Sequence, residues 1–276
     1  MICDATHSPG REKEGTVSDS GAAMVRMDSI TRMDSMRQWP LMATQKRRSM
    51  EELRLSTGEH GLEVGCGTGE EVVAIAREVG STGRCVGMDL SEAMLDEARR
   101  RSKDAALPVE FHRGDIHDIP FADEAFHSAR AERVFEHLED PQRALSELVR
   151  VTRHGGRIVA ISPDFDSVTV DIPDRSLGIK FVHNICDRSP NGWAGRQLFG
   201  MFIDIGLSEA RCEVFTHLLD ATTAMPILES LSAQQEETGV LTSDEVERFR
   251  AHLRERRDQN RVFNTTSNFM VAGSKT

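Results

Sequence analysis

Three glycines at alternate positions interrupt the run Leu62-Glu63-Val64-Gly65-Cys66-Gly67-Thr68-Gly69-Glu70-Glu71, between an apolar segment and a helical pattern. Glycines so spaced let the chain turn tightly and let a ligand lie against the backbone. Asp89 follows 20 positions after Gly69, at the end of a second apolar run. A carboxylate there is placed to accept hydrogen bonds from ribose hydroxyls. Together the two features indicate an adenosine-type ligand at the carboxyl edge of a sheet. A dinucleotide rests its pyrophosphate on the helix N-terminus and wants a further glycine where Glu70 stands. Glu70 and Glu71 would repel that pyrophosphate, whereas they are harmless to a cationic sulfonium and suit the helix dipole. No Gly-Lys-Ser/Thr follows, which excludes a Walker-type loop.

Apolar runs alternating with amphipathic stretches must position these groups. The pattern predicts strands at 60–64, 84–88, 109–112, 125–129 and 157–161, with helices at 70–79, 92–101 and 141–152. That order means a parallel sheet with helices on both faces, a Rossmann-like doubly wound α/β fold. After Pro163 the rhythm gives way to a segment expected to be rich in loops, to about Asn191. A helix at 194–205, a strand near 210–216 and a last strand within 265–272 complete a seven-stranded, mostly parallel sheet. Thr242 and Glu245 form a capping box for a helix to about Asn260.

Four segments in order resemble the class I S-adenosylmethionine-dependent methyltransferases, small-molecule type, similar to the ubiquinone and menaquinone biosynthesis enzymes. They are 62–69, then Gly87-Met88-Asp89-Leu90-Ser91-Glu92-Ala93-Met94-Leu95, then Arg113-Gly114-Asp115-Ile116-His117-Asp118-Ile119-Pro120-Phe121, and finally Arg133-Val134-Phe135-Glu136-His137-Leu138-Glu139-Asp140-Pro141. The resemblance implies S-adenosylmethionine as cofactor. It implies that Glu63, Gly65, Cys66, Gly67, Thr68 and Gly69 face the methionyl part and that Asp89 binds the ribose. Met94 or Leu90 would border the adenine, Asp115 would accept from its amine and Ile116 would pack on the ring. Ala131 and Glu132 would approach the methionyl amine, although relatives often carry a neutral residue at Glu132. Arg130, in a central strand, needs an acidic partner, which Glu63 or Glu132 can provide.

Methyl transfer from a sulfonium is an in-line displacement in which alignment supplies much of the acceleration. A hydroxyl acceptor, or a carbon activated through one, benefits from a base, and a neutral histidine suits that role near pH 7. His137, just after the fourth strand, and His183, in the irregular segment, are the candidates, with Asp164 as a third. His112, His117, His127, His154 and His217 read as structural or exposed. Phe165 is expected to wall an acceptor pocket, and Trp193 and Arg196 to contact the acceptor, a small secondary-metabolite or quinone-like molecule methylated at O, N or C. Alternative readings are non-methylating chemistry on the same cofactor, such as cyclisation or decarboxylation, and a non-catalytic cofactor-binding protein.

The 276 residues carry 34 Lys+Arg against 45 Asp+Glu, a formal net charge of −11, with 5% aromatics and no tyrosine. That balance argues against a broad nucleic-acid surface. The basic triplets at 46–48 and 99–101 read as solvated helix faces. Five cysteines without a C-x-x-C pair give neither a disulfide framework nor a zinc site, and no metal is expected. With no apolar run of about 18 residues and no signal-peptide pattern, a cytoplasmic protein without a membrane span is expected, as monomer or homodimer. Residues 1–22 read as a disordered tail and 23–276 as one domain. Within it, 23–56 forms a helical lid with Met27, Ile30, Met33 and Met36 on one face, and 163–193 and 217–260 cover the acceptor.

Overall fold

The computed structural model describes residues 34, 36, 37 and 39–276. The expected tail, and Met27, Ile30 and Met33 of the expected lid face, lie outside the described residues.

Strand β1, His60–Val64, is buried along almost its whole length, as a strand covered on both faces must be. It feeds α2, Glu70–Val79, which follows α1, Met42–Leu53, in the chain. Helix α2 starts at Gly69, whose φ of 85° needs a glycine, and buries Val72, Ile75, Ala76 and Val79 on one stripe. β2, Arg84–Asp89, leads to α3, Glu92–Ser102, whose N-cap Ser91 accepts from the Met94 amide. β3, Val109–Arg113, and β4, Phe126–Glu132, come next, then a 3₁₀ turn at Phe135–His137. α4, Pro141–Val151, starts on an Asp140 cap with proline at its first position, where the missing N–H costs nothing.

β5, Thr152–Val170, continues well past Pro163 and is followed by α5, Arg175–Asp187. This corrects the expectation of a loop-rich segment between Pro163 and Asn191. Pro163 sits within a strand whose partner runs antiparallel, and Asp174 caps α5 by accepting from the Leu177 amide. α6, Ala194–Asp204, β6, Ser208–Leu219, α7, Ala221–Glu237, α8, Ser243–Asp258, and β7, Asn264–Ser274, complete the chain. The Thr242–Glu245 capping box is formed in both directions. α7 contains Pro226, which obscures its helical pattern in the sequence.

The seven strands stand in the order β3-β2-β1-β4-β5-β7-β6. β7 is antiparallel to both of its neighbours, β5 and β6, and the pairings from β3 through β5 are parallel. One core lies under α4 and α6 and includes Phe126, Phe135, Leu145 and Phe202, and another on the α2 face includes Ile75, Leu95 and Met270. A third belongs to the cap built from α5, α7 and α8, where the rings of Phe181 and Phe249 stack 4.2 Å apart. A stacked aromatic pair is worth about 0.5–1.5 kcal/mol beyond its area. These three helices therefore have a hydrophobic core of their own.

α1 docks differently. Its buried residues are Met42, Gln45, Ser49, Glu52 and Leu53, and three of the five are polar. Glu52 accepts from Arg157 at 2.8 Å, and Ser49 receives the Nε–H of Arg130 at 3.2 Å. Hydrogen bonds, rather than an apolar stripe alone, seat this helix.

Candidate functional site

The glycine loop is bolted to the end of β2. The amides of Gly65 and Cys66 both donate to the Met88 carbonyl, at 2.7 and 3.0 Å. Asp89 accepts from the Gly67 amide at 2.9 Å through one oxygen and from the Ser91 amide at 2.9 Å through the other. Gly65, Gly67 and Gly69 all have positive φ. A Cβ on Gly65 would lie 2.3 Å from Val134 Cγ2, so the loop has no room for a side chain there. Leu90 beyond Asp89 is 61% exposed, and Met94 is half-buried. Asp115 accepts from the backbone amide and the ring Nδ1 of His117, at 2.9 and 2.8 Å. Burial works against its ionisation, but the His117 contacts prevail and lower its pKa. Ile116 and Ala131 are buried.

Behind the loop lies a cluster of buried charge. Arg130 is fully enclosed and donates to both Glu63 and Glu132, each at 2.5 Å. The expected acidic partner of Arg130 is thus supplied twice. Lys46 on α1 pairs with Glu71 at the start of α2. Glu63, Glu71 and Glu132 set three carboxyl groups against the two cations Arg130 and Lys46. Burial pushes the Glu63 pKa up to about 8 although Arg130 opposes the shift, and the neighbouring Glu71 and Glu132 add to it. Burial opposes ionisation of Glu71 as well, but Lys46 and Arg130 outweigh it and hold its pKa down. Arg130 stays charged because its carboxylates more than offset its own desolvation. The second oxygen of Glu63 is buried and has no hydrogen-bond partner among the described residues. That oxygen, beside the glycine cradle, fits a cationic group donating N–H bonds.

One consequence is a pH dependence. The folded protein keeps the Glu63 proton up to about pH 8, whereas a free glutamate loses it near 4.5. Between those values the folded state binds more protons, so this group makes stability fall as pH rises. Urea unfolding of the ligand-free protein at pH 5.5, 7 and 8.5 is expected to show that decline, and Glu63→Gln to flatten it. An unchanged slope in the variant would remove the assignment.

The mouth of the loop carries more charge. Arg37 donates to Thr68 Oγ1 at 2.9 Å and pairs with Glu70, which also pairs with Arg101 at 2.6 Å. Lys46, Arg48 and Arg101 bridge to Glu71, Glu213 and Glu70 on other elements, so the two basic triplets are not merely solvated faces. Cross-element contacts of this kind leave no mark in the local pattern from which those faces were read.

Residues expected around an acceptor fall into three settings. His137, on the 3₁₀ turn, is 57% exposed. The turn is held from below by buried Glu136, which accepts from Ser162 at 2.6 Å, while its backbone carbonyl accepts from the Asn191 amide. Asp164 is buried and pairs with Arg196 through both of its oxygens. The Arg196 guanidinium lies 4.9 Å above the half-exposed Trp193 ring. Phe165 is part of the cap core. His183 is exposed and 3.6 Å from Asp166. A cleft of about 360 Å³ is lined by Asp166, His183, Cys186, Asn191 and Trp193, and a second of about 500 Å³ shares Asp166 and His183. Among the described residues no group of His, Cys, Asp or Glu side chains could hold a metal ion, and no helix is long and apolar enough to cross a membrane.

Gln45, Lys46, Ser49, His217 and Asn268, which surround the charge cluster, carry no motif and were not singled out as site residues by the sequence. Only the charge of Arg130 within a central strand announced that a partner must exist.

Residues 62–160 match the methyltransferase domain family. An uncharacterised 37.1 kDa protein in transposon Tn4556 of Streptomyces fradiae is 37% identical over 183 residues, covering 66% of this chain and 52% of that protein. Demethylmenaquinone methyltransferase of Staphylococcus saprophyticus is 29% identical over 157 residues, covering 57% of this chain and 64% of the enzyme. The chain thus spans between about half and two thirds of the length of these curated relatives. Among solved structures, geranyl diphosphate C-methyltransferase from Streptomyces coelicolor A3(2), in complex with Mg2+, geranyl-S-thiolodiphosphate and S-adenosyl-L-homocysteine, superposes with a TM-score of 0.55. It is 20% identical, and the match covers 86% of this chain and 77% of that one, a likeness of fold. With its strand order, its glycine loop bolted to β2 and its methyltransferase domain matched over residues 62–160, the chain resembles the class I S-adenosylmethionine-dependent methyltransferases, their menaquinone-biosynthesis members among them.

Proposed function

We propose that the protein transfers a methyl group from S-adenosylmethionine to O, N or C of a small organic acceptor, secondary-metabolite or quinone-like, by in-line displacement. The carrying observation is the buried cluster beside the glycine loop, three carboxyl groups against two cations, in which one Glu63 oxygen has no hydrogen-bond partner among the described residues. A sulfonium and ammonium ligand would draw the Glu63 proton off and pair with the carboxylate, whereas a pyrophosphate would oppose its ionisation. When bound, the cofactor supplies an electrophilic methyl group on sulfur. The chain's own residues orient and enclose. Gly65, Cys66, Gly67, Thr68 and Gly69 hold the methionyl part with Ala131 and Glu132 nearby. Asp89 takes the ribose, Asp115 and Ile116 take the adenine, and Leu90 or Met94 borders it.

The acceptor belongs under the cap, with Phe165 and Trp193 as apolar walls. Arg196, held by Asp164 and stacked on Trp193, presents a fixed cation to it. Asp164 is therefore assigned to orient Arg196 rather than to accept a proton. His137 and His183 are the proposed proton acceptors for a hydroxyl. The cytoplasm is the proposed compartment.

Calorimetric titration with S-adenosylmethionine, S-adenosylhomocysteine and NAD tests this reading, followed by turnover with quinol and phenol acceptors. Micromolar binding of both sulfur ligands without NAD is expected, and NAD binding alone would overturn it. Asp89→Ala is expected to weaken S-adenosylhomocysteine roughly ten- to a hundredfold, since hydrogen bonds to a charged group are worth about 1.5–3 kcal/mol. Wild-type affinity in that variant would remove Asp89 from the ribose.

A further inference from the structure

A series of hydrogen bonds leaves the charge cluster and passes through α1 to β7 and β6 at one edge of the sheet. Glu132 accepts from Arg130 through one oxygen and from Gln45 Nε2, at 2.5 Å, through the other. Gln45 Oε1 accepts from Asn268 Nδ2 on β7 at 2.9 Å. The same amide nitrogen lies 3.3 Å from His217 Nε2 on β6. Nδ1 of His217 bonds the Pro40 carbonyl, and its ring meets Trp39 edge to face at 5.7 Å. Gln45, Asn268, His217, Arg130 and Ser49 have no exposed surface.

The donors have one self-consistent direction. His217 gives its Nδ1 hydrogen to Pro40 and receives one on Nε2. Asn268 gives both amide hydrogens, and Gln45 gives one to Glu132. Gln45 is the member on α1, and its carboxamide donates on one side and accepts on the other. Buried polar groups deprived of partners are costly, so neither half of the series is stable without the other.

We propose that Gln45 is a positioning residue that makes the seating of α1 and the orientation of the Glu63–Arg130–Glu132 cluster one event, so that a cationic cofactor is held tightly only when α1 is docked. The proposal rests on the cofactor reading above. Without Gln45, Glu132 loses a donor and turns on Arg130, Arg130 follows, and the free oxygen of Glu63 leaves the glycine cradle. In the same move the 39–40 turn loses the neighbour that fixes Asn268 and His217.

The test is a swap of donor and acceptor, read by S-adenosylhomocysteine calorimetry and by amide exchange over residues 42–53. Gln45→Glu sets a carboxylate against Glu132 and is expected to weaken binding at least tenfold and to speed exchange along α1. Adding Glu132→Gln restores a donor facing an acceptor, and the pair is expected to return to within about threefold of the parent in both readouts. A purely structural contact at position 45 predicts no such rescue. Gln45→Met, close in volume, is the second variant should the glutamate fail to fold, and it is expected to show the same direction with a smaller loss. Parental affinity and exchange in Gln45→Glu or Gln45→Met would overturn the proposal, as would a double variant no better than the single. Should the parent itself not bind S-adenosylhomocysteine, the cofactor reading falls, and the coupling proposed here falls with it. Rescue of α1 exchange in the ligand-free double variant would then establish only the tether.

Discussion

Arg130→Met is expected to lower the unfolding free energy by about 3–5 kcal/mol at pH 8, the usual cost of leaving a buried charge without its partner. Arg130 donates to both Glu63 and Glu132, and it has no exposed surface. A domain of this kind holds about 5–15 kcal/mol in all, so the variant stands close to unfolding. The loss is expected to shrink at pH 6. There Glu63, whose pKa burial has raised to about 8, already carries a proton in the folded parent, and removing Arg130 strands less charge. Denaturant titrations at the two pH values check the sign. The triple variant Arg130→Met, Glu63→Gln, Glu132→Gln is expected to recover most of the stability and none of the cofactor affinity. That combination separates the structural and ligand-binding uses of the cluster. A single variant as stable as the parent at pH 8 would mean that water reaches the cluster.

Gly65→Ala is expected to cut S-adenosylhomocysteine affinity more than tenfold and to cost about 1–3 kcal/mol of stability. Two independent reasons combine here. Gly65 has a φ of 69°, which disfavours any side chain, and the new methyl would stand 2.3 Å from Val134 Cγ2. Adding Val134→Ala removes the clash and is expected to return part of the stability, while the backbone strain and the weak binding persist. Calorimetry and thermal melts on the two proteins separate the contributions. Affinity unchanged in Gly65→Ala would detach the glycine loop from the ligand.

The first half of the sheet was legible because local signals there agree with one another. Glycines mark the turn into α2, Ser91 and Asp140 cap α3 and α4, and apolar runs lie where both faces are covered. The stretch after Pro163 was not read correctly because the proline suggested that a strand had ended. Yet Leu177, Phe181 and Ile185 recur at helical spacing, and Asp174 stands before them as a cap, a signal that was available. The site divides in the same way. Glycine loop and Asp89 are contiguous motifs, whereas Gln45, His217 and Asn268 are single polar residues on three remote elements. Nothing local distinguishes them from surface residues until tertiary packing buries them.

The place of β7 in the sheet bears on how the molecule is made. It follows β6 in sequence but lies between β5 and β6, bonded to both. On the ribosome, β1 to β5 can emerge and pair in order. β6 then waits without a partner until residues 264–274 have been translated, because among the described residues its only neighbour in the sheet is β7. Asn268 and the contacts it makes with Gln45 and His217 arrive with that same strand. Helix α1 therefore gains its anchor on β7 only after all the other strands have been made, and a nascent chain stalled before Asn264 would hold a formed glycine loop beside an unfastened α1.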